Sequence, residues 1–355
     1  MKKALIAMSG GIDSSVTAYL MKEQGFDCIG VTFVMFDKAN PIFGFSAENA
    51  GNDIDDAKQV CGKLNIPLRI ADATKDFGKY VISDFIKTYE NGGTPNPCVT
   101  CNKYIKFRLL TALADEYGCE RIVTGHYAGT GFDKKNGRYY IKKALDPAKD
   151  QSYVLWSLTQ EQIKRCVFPL ADYTKEQIRD IAEDLGFSNA RKKDSQDICF
   201  VPGGNYAEFI QASTGKTYKP GNFIDTKGNV LGTHKGIINY TIGQRRGLEL
   251  PYGERIYVKE KNPENNTVVL ALNNELYKNE ITLERFNFVG ADSLDFPLKC
   301  KAKIRYKHPE SEARAEQIDE NTMKLTFSEP QRAPAKGQSA VLYNEDRVLG
   351  GGIIK

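Results

Sequence analysis

The stretch Lys3–Gln24, KALIAMSGGIDSSVTAYLMKEQ, joins a strand pattern to a helix pattern through a glycine turn. Its first residues, Lys3 to Met8, form a short and mostly apolar run, which predicts a buried strand. From Ser14 to Gln24 the apolar residues recur with helical spacing, and Gly25 is typical of the position after a helix. A pair of glycines between the two segments allows a tight turn. The sequence therefore predicts a strand–turn–helix unit at the start of the chain.

The same alternation of strands and helices continues through the first half of the chain. The predicted elements are strands at Cys28–Val34, Pro67–Ala71 and Ile122–Thr124 and helices at Asp53–Leu64 and Thr174–Leu185. Strands that alternate with helices are typical of a parallel sheet covered on both faces. We therefore predict an α/β fold, with an N-terminal doubly wound parallel sheet in a first domain over residues 1–203.

The second half of the chain has a different texture. From about Val201 glycine, proline and asparagine become frequent, and helical spacing fades. Apolar residues then alternate with polar ones at Thr267–Leu272, Leu298–Tyr306, Met323–Phe327, Ala340–Tyr343 and Val348–Ile354. Period-two alternation predicts strands, and we assign these to a small all-β domain. The predicted boundaries are a small central domain at 204–275 and a C-terminal β-barrel at 276–355.

Composition limits the classes of protein that this chain can be. Its 355 residues are 41% hydrophobic and 26% charged, which excludes wholesale disorder. A net charge of +4 neither indicates nor excludes a local nucleic-acid surface. No apolar run approaches the ~20 residues of a membrane span, and the N-terminal run is too short for a signal peptide. We therefore expect a cytoplasmic protein with no membrane partner, in which eight cysteines do not form a disulfide scaffold.

The glycine turn reads SGGIDSS at Ser9–Ser15, and it has the composition of an anion site. Glycines let the backbone approach an anion, and the loop amides with the helix N-terminus form a phosphate cradle. The hydroxyls of Ser9 and Ser14 add donors. Asp13 would repel phosphate unless a cation intervened, which predicts Mg²⁺. The motif is neither a Walker loop nor a dinucleotide-binding fingerprint.

The cysteines in GGTPNPCVTCNK, Gly92–Lys103, lie where a loop becomes a helix. The prolines exclude helix before Cys98, whereas the residues after Cys101 have helical spacing. A helix N-terminus lowers a thiol pKa, and we expect Lys103 and Lys106 to help. This pattern alone also fits half a zinc site, a redox pair or two structural cysteines. The zinc interpretation lacks a second CxxC, and the chain has only three histidines.

Five motifs in chain order carry a specific resemblance. They are SGGIDSS at 9–15, TPNPCVTCN at 94–102, GHY at 125–127, KDQSY at 149–153 and DSQDICF at 194–200. Together they resemble the bacterial tRNA-specific 2-thiouridylases of the PP-loop ATP pyrophosphatase superfamily. The resemblance extends to TIGQRRGL at 241–248 and to Arg305-Tyr306, so it covers essentially the full length.

The resemblance implies an N-terminal fold of the PP-loop, adenine nucleotide α-hydrolase type and a definite reaction. ATP adenylates the C2 oxygen of the wobble uridine in tRNA, and sulfur then replaces that oxygen to give 2-thiouridine, AMP and pyrophosphate. Cys199 matches the cysteine that receives sulfur as a persulfide, and Cys101 matches the nucleophile that resolves it. Asp13 is the third residue expected to act in catalysis. The implied partners are tRNA and a sulfur-donor protein, either a sulfur relay protein or a cysteine desulfurase.

The resemblance also assigns binding residues. Those matching ATP contacts are Ala7, Met8, Ser9, Gly10, Gly11, Ile12, Asp13, Ser14, Phe33 and Gly125. Those matching tRNA contacts are Asn96, Pro97, Cys98, Lys149, Asp150, Gln151, Arg305 and Tyr306. Two positions depart from the family pattern. Phe33 stands where many members have methionine, and Cys98 stands where many have an aspartate proposed as an acid/base group. A thiol of pKa ~8.5 would fill that role only weakly.

Three alternatives stay open on the sequence. The first alternative is a synthetase that acts on a small molecule, because the glycine loop also resembles that of other PP-loop enzymes. The second is a [4Fe–4S] cluster held by Cys98, Cys101 and Cys199 with one iron open for sulfide. The third is a tRNA-binding or sulfur-carrier module without catalysis, against which the intact loop argues.

Overall fold

A computed structural model describes residues 2–37, 40–43, 53–192, 198–290 and 296–355 of the chain. The helices are α1 (Ile12–Glu23), α2 (Asp53–Lys63), α3 (Thr74–Phe77), α4 (Ser83–Glu90), α5 (Pro97–Cys101), α6 (Phe107–Glu116), α7 (Gln160–Arg165), α8 (Lys175–Asp184) and α9 (Tyr206–Thr214). The strands of the first half are β1 (Lys3–Ala7), β2 (Asp27–Val34), β3 (Leu68–Asp72), β4 (Arg121–Val123), β5 (Gly129–Asp133), β6 (Arg138–Lys142) and β7 (Cys166–Val167). Those of the second half are β8 (Gly221–Ile224), β9 (Val230–His234), β10 (Ile256–Asn262), β11 (Thr267–Leu272), β12 (Tyr277–Phe288), β13 (Leu298–Lys303), β14 (Ser311–Gln317), β15 (Thr322–Arg332), β16 (Ser339–Asn344) and β17 (Arg347–Ile354).

The N-terminal sheet is parallel, with strand order β3-β2-β1-β4-β7. Alternate residues of β1 enter different cores on its two faces. Leu5 packs in a cluster with Phe107 and Leu110 of α6, whereas Ile6 packs in one with Val16 of α1. The second cluster also takes residues from α2 and α8. The sheet is therefore covered by helices on both faces, and the predicted α/β doubly wound class is confirmed.

The strand order creates a crevice at the carboxyl ends of β1 and β4. The chain moves outward from β1 through β2 to β3 and then returns to the other side of β1 as β4. Loops that follow two such neighbouring strands diverge, and ligands of open α/β sheets bind at this switch point. The loop that begins at Met8 and the segment that begins at Thr124 therefore face the same crevice.

The central region holds a separate four-stranded sheet, with order β10-β11-β8-β9. Its last strand in sequence, Thr267–Leu272, pairs with β10 and β8. Its alternation groups this segment with the later strands, whereas the predicted boundary at residues 275 and 276 leaves it in the central region, where it lies. Period-two alternation identifies a strand, but it carries no information about which sheet the strand joins.

The C-terminal strands close into a six-stranded barrel. Their order is β12-β15-β14-β13-β16-β17, and β12 pairs again with β17 to close it. The predicted barrel is thereby confirmed. A hairpin of the first half, β5–β6, extends this sheet at β17 through the pair Lys142 and Arg347. The buried indole of Trp156 also donates to Ser339 Oγ at 3.1 Å, so the barrel is joined to the α/β domain by backbone and side-chain bonds.

No helix in the described ranges is long and apolar enough to cross a membrane.

Candidate active site

The loop after β1 is held in shape by its own serines. Ser9 donates its amide to Ser14 Oγ at 3.2 Å, and Ser14 donates that hydroxyl to the carbonyl of Gly11 at 2.9 Å. Gly10 has a φ of +73°, and a Cβ there would lie 2.2 Å from the carbonyl oxygen of Asp53. Only glycine fits this position, because the left-handed backbone and the close approach each exclude a side chain. The loop is thus preformed at the N-terminus of α1, as an anion cradle requires.

Asn189 braces the loop from a distant part of the chain. Its buried amide donates to the carbonyl of Gly10 at 3.0 Å and to Ser15 Oγ at 2.9 Å. The sequence analysis missed this residue, which is 174 positions from Ser15. Asn189 belongs to none of the five motifs, so no local signal points to it. The helix α8, which precedes Asn189, carries it to the loop.

Asp13 lies in an ion pair. Its Oδ1 accepts hydrogen bonds from Lys175 Nζ at 2.7 Å and from the Tyr127 hydroxyl at 2.9 Å. Lys175 is the first residue of α8, and the capping box of Thr174 and Gln177 fixes that helix start as the sequence predicts. The carboxylate therefore has a cation close by without a metal. Among the described residues, no three His, Cys, Asp or Glu side chains form a group that could hold a metal ion.

The other residues assigned to ATP lie around the same crevice. A Cβ on Gly125 would lie 3.0 Å from Asp13 C and from Ser14 N, so the chain after β4 touches the loop backbone. Met8 and Ile12 are buried in the core. The Met8 amide donates to the carbonyl of Val31 at 2.8 Å, and the Met8 carbonyl accepts from the Thr32 hydroxyl at 2.7 Å. Phe33 is half-buried near the end of β2. Ala7 is the last residue of β1.

The three sequence-predicted thiols meet in one cleft. Asn96 caps α5 by accepting from the Val99 amide at 3.4 Å, and this short helix carries the first two cysteines. Cys101 is buried with its Sγ 3.9 Å from Met35 Sδ. Cys98 and Cys199 are exposed to solvent, yet burial by surrounding atoms raises the pKa of both. Such a combination describes thiols inside a cleft, and negative charge on Cys101 or Cys98 raises the pKa of Cys199 further.

The expectation of low thiol pKa values is wrong. Burial raises the pKa of Cys101 to about 11 and that of Cys199 to about 12. Lys106 lowers the pKa of both thiols, as predicted, but its effect is smaller than that of desolvation. Lys103 has no such effect and lies 5.2 Å from the ring centre of Tyr104. Helix position and neighbouring charges can be read from sequence, whereas the depth of the cleft cannot.

Three family models match the chain in succession. They are described as a tRNA methyl transferase HUP domain at residues 2–203, a tRNA methyl transferase PRC-barrel domain at 207–272 and an aminomethyltransferase beta-barrel domain at 278–354. Curated relatives named tRNA-specific 2-thiouridylase MnmA match along the whole chain. The one from Clostridioides difficile is 44% identical over 100% of this chain and 98% of its own length. The one from Clostridium acetobutylicum is 45% identical over 100% and 99%.

The chain is a member of the tRNA-specific 2-thiouridylase family. A solved structure titled a 4-thiouridine synthetase–RNA complex with bound ATP is 21% identical and covers 57% of this chain and 46% of that one, with a TM-score of 0.40. At that score the likeness adds nothing to the assignment. The family membership confirms the resemblance seen in the five motifs.

Two of the residues that the 2-thiouridylase pattern assigns to tRNA make hydrogen bonds within the protein. Asp150 is buried and accepts from the amides of Ala144 and Ser152 and from the Ser152 hydroxyl. Gln151 Oε1 accepts from the Tyr127 amide at 2.9 Å. The Gln151 side chain therefore fixes the segment after β4, whereas Asp150 fixes the backbone between Ala144 and Ser152. Both side chains are thus engaged within the protein, and their contacts with tRNA stay a prediction.

Arg305 and Tyr306 come to the cleft from the barrel. Arg305 Nη2 donates to the carbonyls of Ile242 at 3.0 Å and Ala333 at 2.8 Å, which ties the central region to the barrel. Burial raises the pKa of Tyr306 to about 12, and the charges of Asp150 and Cys98 raise it too. Tyr306 therefore lies close to Asp150 and to the Cys98 thiol of the α/β domain. Asp194, Ser195, Gln196 and Asp197 of the DSQDICF motif fall outside the described residues.

Proposed function

We propose that this enzyme makes 2-thiouridine at the wobble position of tRNA by adenylating the uridine and then transferring sulfur through Cys199 and Cys101. Membership of the 2-thiouridylase family makes the chain an ATP-dependent tRNA sulfurtransferase. The identity of the thiol relay, the assignment of individual tRNA contacts and a cytoplasmic location are part of the proposal.

One observation carries the proposal, namely the continuity between the phosphate loop and the thiols. Gly125 touches the backbone of Asp13 and Ser14. The next residue, His126, is buried and lies within electrostatic range of Lys106. The charge of Lys106 in turn lowers the pKa of the thiols of Cys98, Cys101 and Cys199. A base adenylated at the loop is therefore close to the groups that would deliver sulfur.

The first half of the reaction needs a cradle for phosphate. The uridine O2 attacks the α-phosphorus of ATP. The bond between the α-phosphorus and the bridging oxygen of the β-phosphate breaks, and pyrophosphate leaves. Amides of the Ser9–Ser14 loop and the N-terminus of α1 would stabilise the charge on the departing group. Mg²⁺ stays a prediction, with Asp13 as its candidate carboxylate.

The second half of the reaction balances with two thiols. The terminal sulfur of a Cys199 persulfide attacks C2, and AMP leaves with the former O2. The Cys101 thiolate then attacks the Cys199 sulfur, so that the S–S bond to the base breaks and the base keeps its new sulfur. A Cys101–Cys199 disulfide remains, and an external thiol reductant must supply two electrons to reset it.

The exposure of the thiols suits these roles. Cys199 is exposed, so a sulfur-donor protein can reach it, whereas Cys101 is buried and reached only from inside the cleft. Tyr306 supplies an aromatic side chain at the barrel wall where an unstacked base could rest. The anticodon loop is unpaired, so the target base leaves its stack at low cost.

Mass spectrometry of nucleosides tests the proposal. Wobble-uridine tRNA, ATP and a sulfide source are incubated with the protein, and 2-thiouridine is expected only when all are present. A tRNA with cytidine at the wobble position is the matched control. Thiolation without ATP, or in that control, would contradict the proposal.

The cluster alternative is kept as an outcome of experiment. Among the described residues, Cys98, Cys101 and Cys199 do not form a three-ligand group that could hold a metal ion.

A further inference from the structure

Lys106 occupies an unusual place in the helix that carries the thiols. Between α5 and α6 the backbone forms a π-helical turn over Asn102–Lys106, and the Phe107 amide donates to the carbonyl of Asn102. In a π turn the hydrogen bonds join residues five apart, so these residues lie one above the other. Lys106 follows Cys101 by five residues. The extra residue in this turn therefore brings Lys106 towards the face of Cys101, which an uninterrupted α-helix would not do.

The charge of Lys106 reaches the whole thiol cluster. It lowers the pKa of Cys98, Cys101 and Cys199 against the larger effect of burial. Among the described residues it is the only positively charged side chain that does so for any of the three. His126 also lies within its range, and burial lowers the pKa of this imidazole to about 3, so it is neutral and does not compete as a cation.

Lys106 makes no other strong interaction in the described part of the chain. No hydrogen bond, ion pair or aromatic contact of its ammonium group is present there, although it is only half exposed. Other lysines of this region differ. Lys103 lies over Tyr104, and Lys175 is paired with Asp13. An ammonium without a carboxylate partner beside three thiols of raised pKa is suited to stabilise an anion that forms during the reaction.

We propose that Lys106 is the positioning residue of sulfur transfer, whose ammonium stabilises the sulfur anion on Cys199 and the attacking thiolate of Cys101. This inference rests on the proposed relay through these two cysteines. The charge matters because a thiol with a pKa of about 11 is ionised in only about one molecule in 10⁴ at neutral pH. Each further unit of pKa lowers the thiolate fraction about tenfold.

The test compares Lys106→Gln with Lys106→Arg, and Lys103→Gln serves as the matched control one turn away. Iodoacetamide alkylation of Cys199 is followed against pH by peptide mass spectrometry, beside 2-thiouridine formation and pyrophosphate release. In Lys106→Gln we expect alkylation and thiolation at neutral pH to fall at least about tenfold, and the alkylation profile to move to higher pH. Lys106→Arg keeps the charge and should retain most of the alkylation of Cys199 and most of the thiolation. Lys103→Gln should behave as the parent protein.

The remaining readouts separate this proposal from the proposed function. Pyrophosphate release should persist in Lys106→Gln, because the phosphate loop is untouched. An unchanged alkylation profile in a folded Lys106→Gln protein would overturn the role of Lys106. Loss of pyrophosphate release with an unchanged profile would assign Lys106 to adenylation and would overturn it as well. Full thiolation by Cys199→Ser would instead overturn the relay itself.

Discussion

Asp13 Oδ1 and Lys175 Nζ are 2.7 Å apart, and this ion pair joins the segment after the glycine loop to the first residue of α8. Lys175 is 7% exposed and Asp13 is 32% exposed. The pair therefore links loop geometry to the packing of a helix 162 residues away in sequence.

Replacing Asp13 should affect both adenylation and stability. We expect Asp13→Ala to abolish pyrophosphate release while tRNA binding stays largely intact. Removing the carboxylate partner of the buried Lys175 ammonium should also lower the free energy of unfolding by about 2–3 kcal/mol. This value is at or below the low end for a broken buried ion pair, because Asp13 is partly exposed. Asp13→Ala with Lys175→Met should recover stability in urea unfolding without recovering adenylation. Undiminished pyrophosphate release by Asp13→Ala would contradict the assignment.

The two glycines of the loop should respond differently to alanine. Gly10→Ala places a Cβ 2.2 Å from the Asp53 carbonyl oxygen at a φ of +73°, and we expect lost ATP binding and a lower melting temperature. The matched variant Gly11→Ala meets only Ser9 Oγ, at 3.5 Å, and should keep the melting temperature. Calorimetry of both variants, with and without ATP, measures the difference. If Gly10→Ala and Gly11→Ala have equal melting temperatures, the loop is not preformed.

The three thiols should divide the work. Cys199→Ser and Cys101→Ser should each stop thiolation and still bind ATP, because neither thiol belongs to the loop. Only Cys199 should accumulate labelled persulfide, and Cys101→Ser should trap it there. Cys98→Ser should be partly active, since a hydroxyl keeps a hydrogen bond. The measurement is 2-thiouridine per enzyme with iron content alongside. Equal loss in all three variants, with iron in the parent protein, would favour the cluster alternative.

Arg305 should contribute to tRNA binding and to the junction of the central region with the barrel. We expect Arg305→Ala to weaken tRNA binding, with a salt slope smaller by about one, and to leave ATP affinity unchanged. Arg305→Lys is the matched control, because it keeps the charge but cannot reproduce the two bonds from Nη2 to the carbonyls of Ile242 and Ala333. Equal tRNA dissociation constants for the parent protein and Arg305→Ala at matched salt would refute the contact.

Lys261 should make stability depend on pH. It is 5% exposed, donates to the carbonyls of Gly93 and Tyr240, and burial lowers its pKa to about 7. Between this value and the unfolded pKa of about 10.4 the unfolded chain binds more protons, so this residue's contribution to stability rises with pH. It levels off below about pH 7, where Lys261 is charged in both states.

Lys261→Met removes that titration. The difference in unfolding free energy between the parent protein and the variant should therefore change by up to about 1.4 kcal/mol per pH unit between pH 7 and 10. Urea unfolding of both proteins across that range measures it, and subtraction cancels the titration of the cysteines. If this difference in unfolding free energy does not change with pH, the pKa of Lys261 is not lowered in the folded protein.

Much of the fold and of the site is local in origin. The strand–turn–helix of Lys3–Gln24 and the capping box of Thr174 and Gln177 follow from apolar spacing and backbone chemistry, and the structure reproduces them. The pairing of the β5–β6 hairpin with the barrel and that of β11 with β8, by contrast, have no local signal in the sequence. Strand pairing between distant segments depends on which edges meet in three dimensions.

The sequence by itself determined the motifs, the three cysteines and the glycine loop, because each depends on residue type and short spacing. Only the tertiary structure decided that Asn189 braces the loop, that Lys175 neutralises Asp13 and that Lys106 lies beside the thiols. It also reversed the expected direction of the thiol pKa. A helix terminus and a nearby lysine act locally, whereas desolvation is set by every segment that closes over the cleft, and here desolvation is the larger effect.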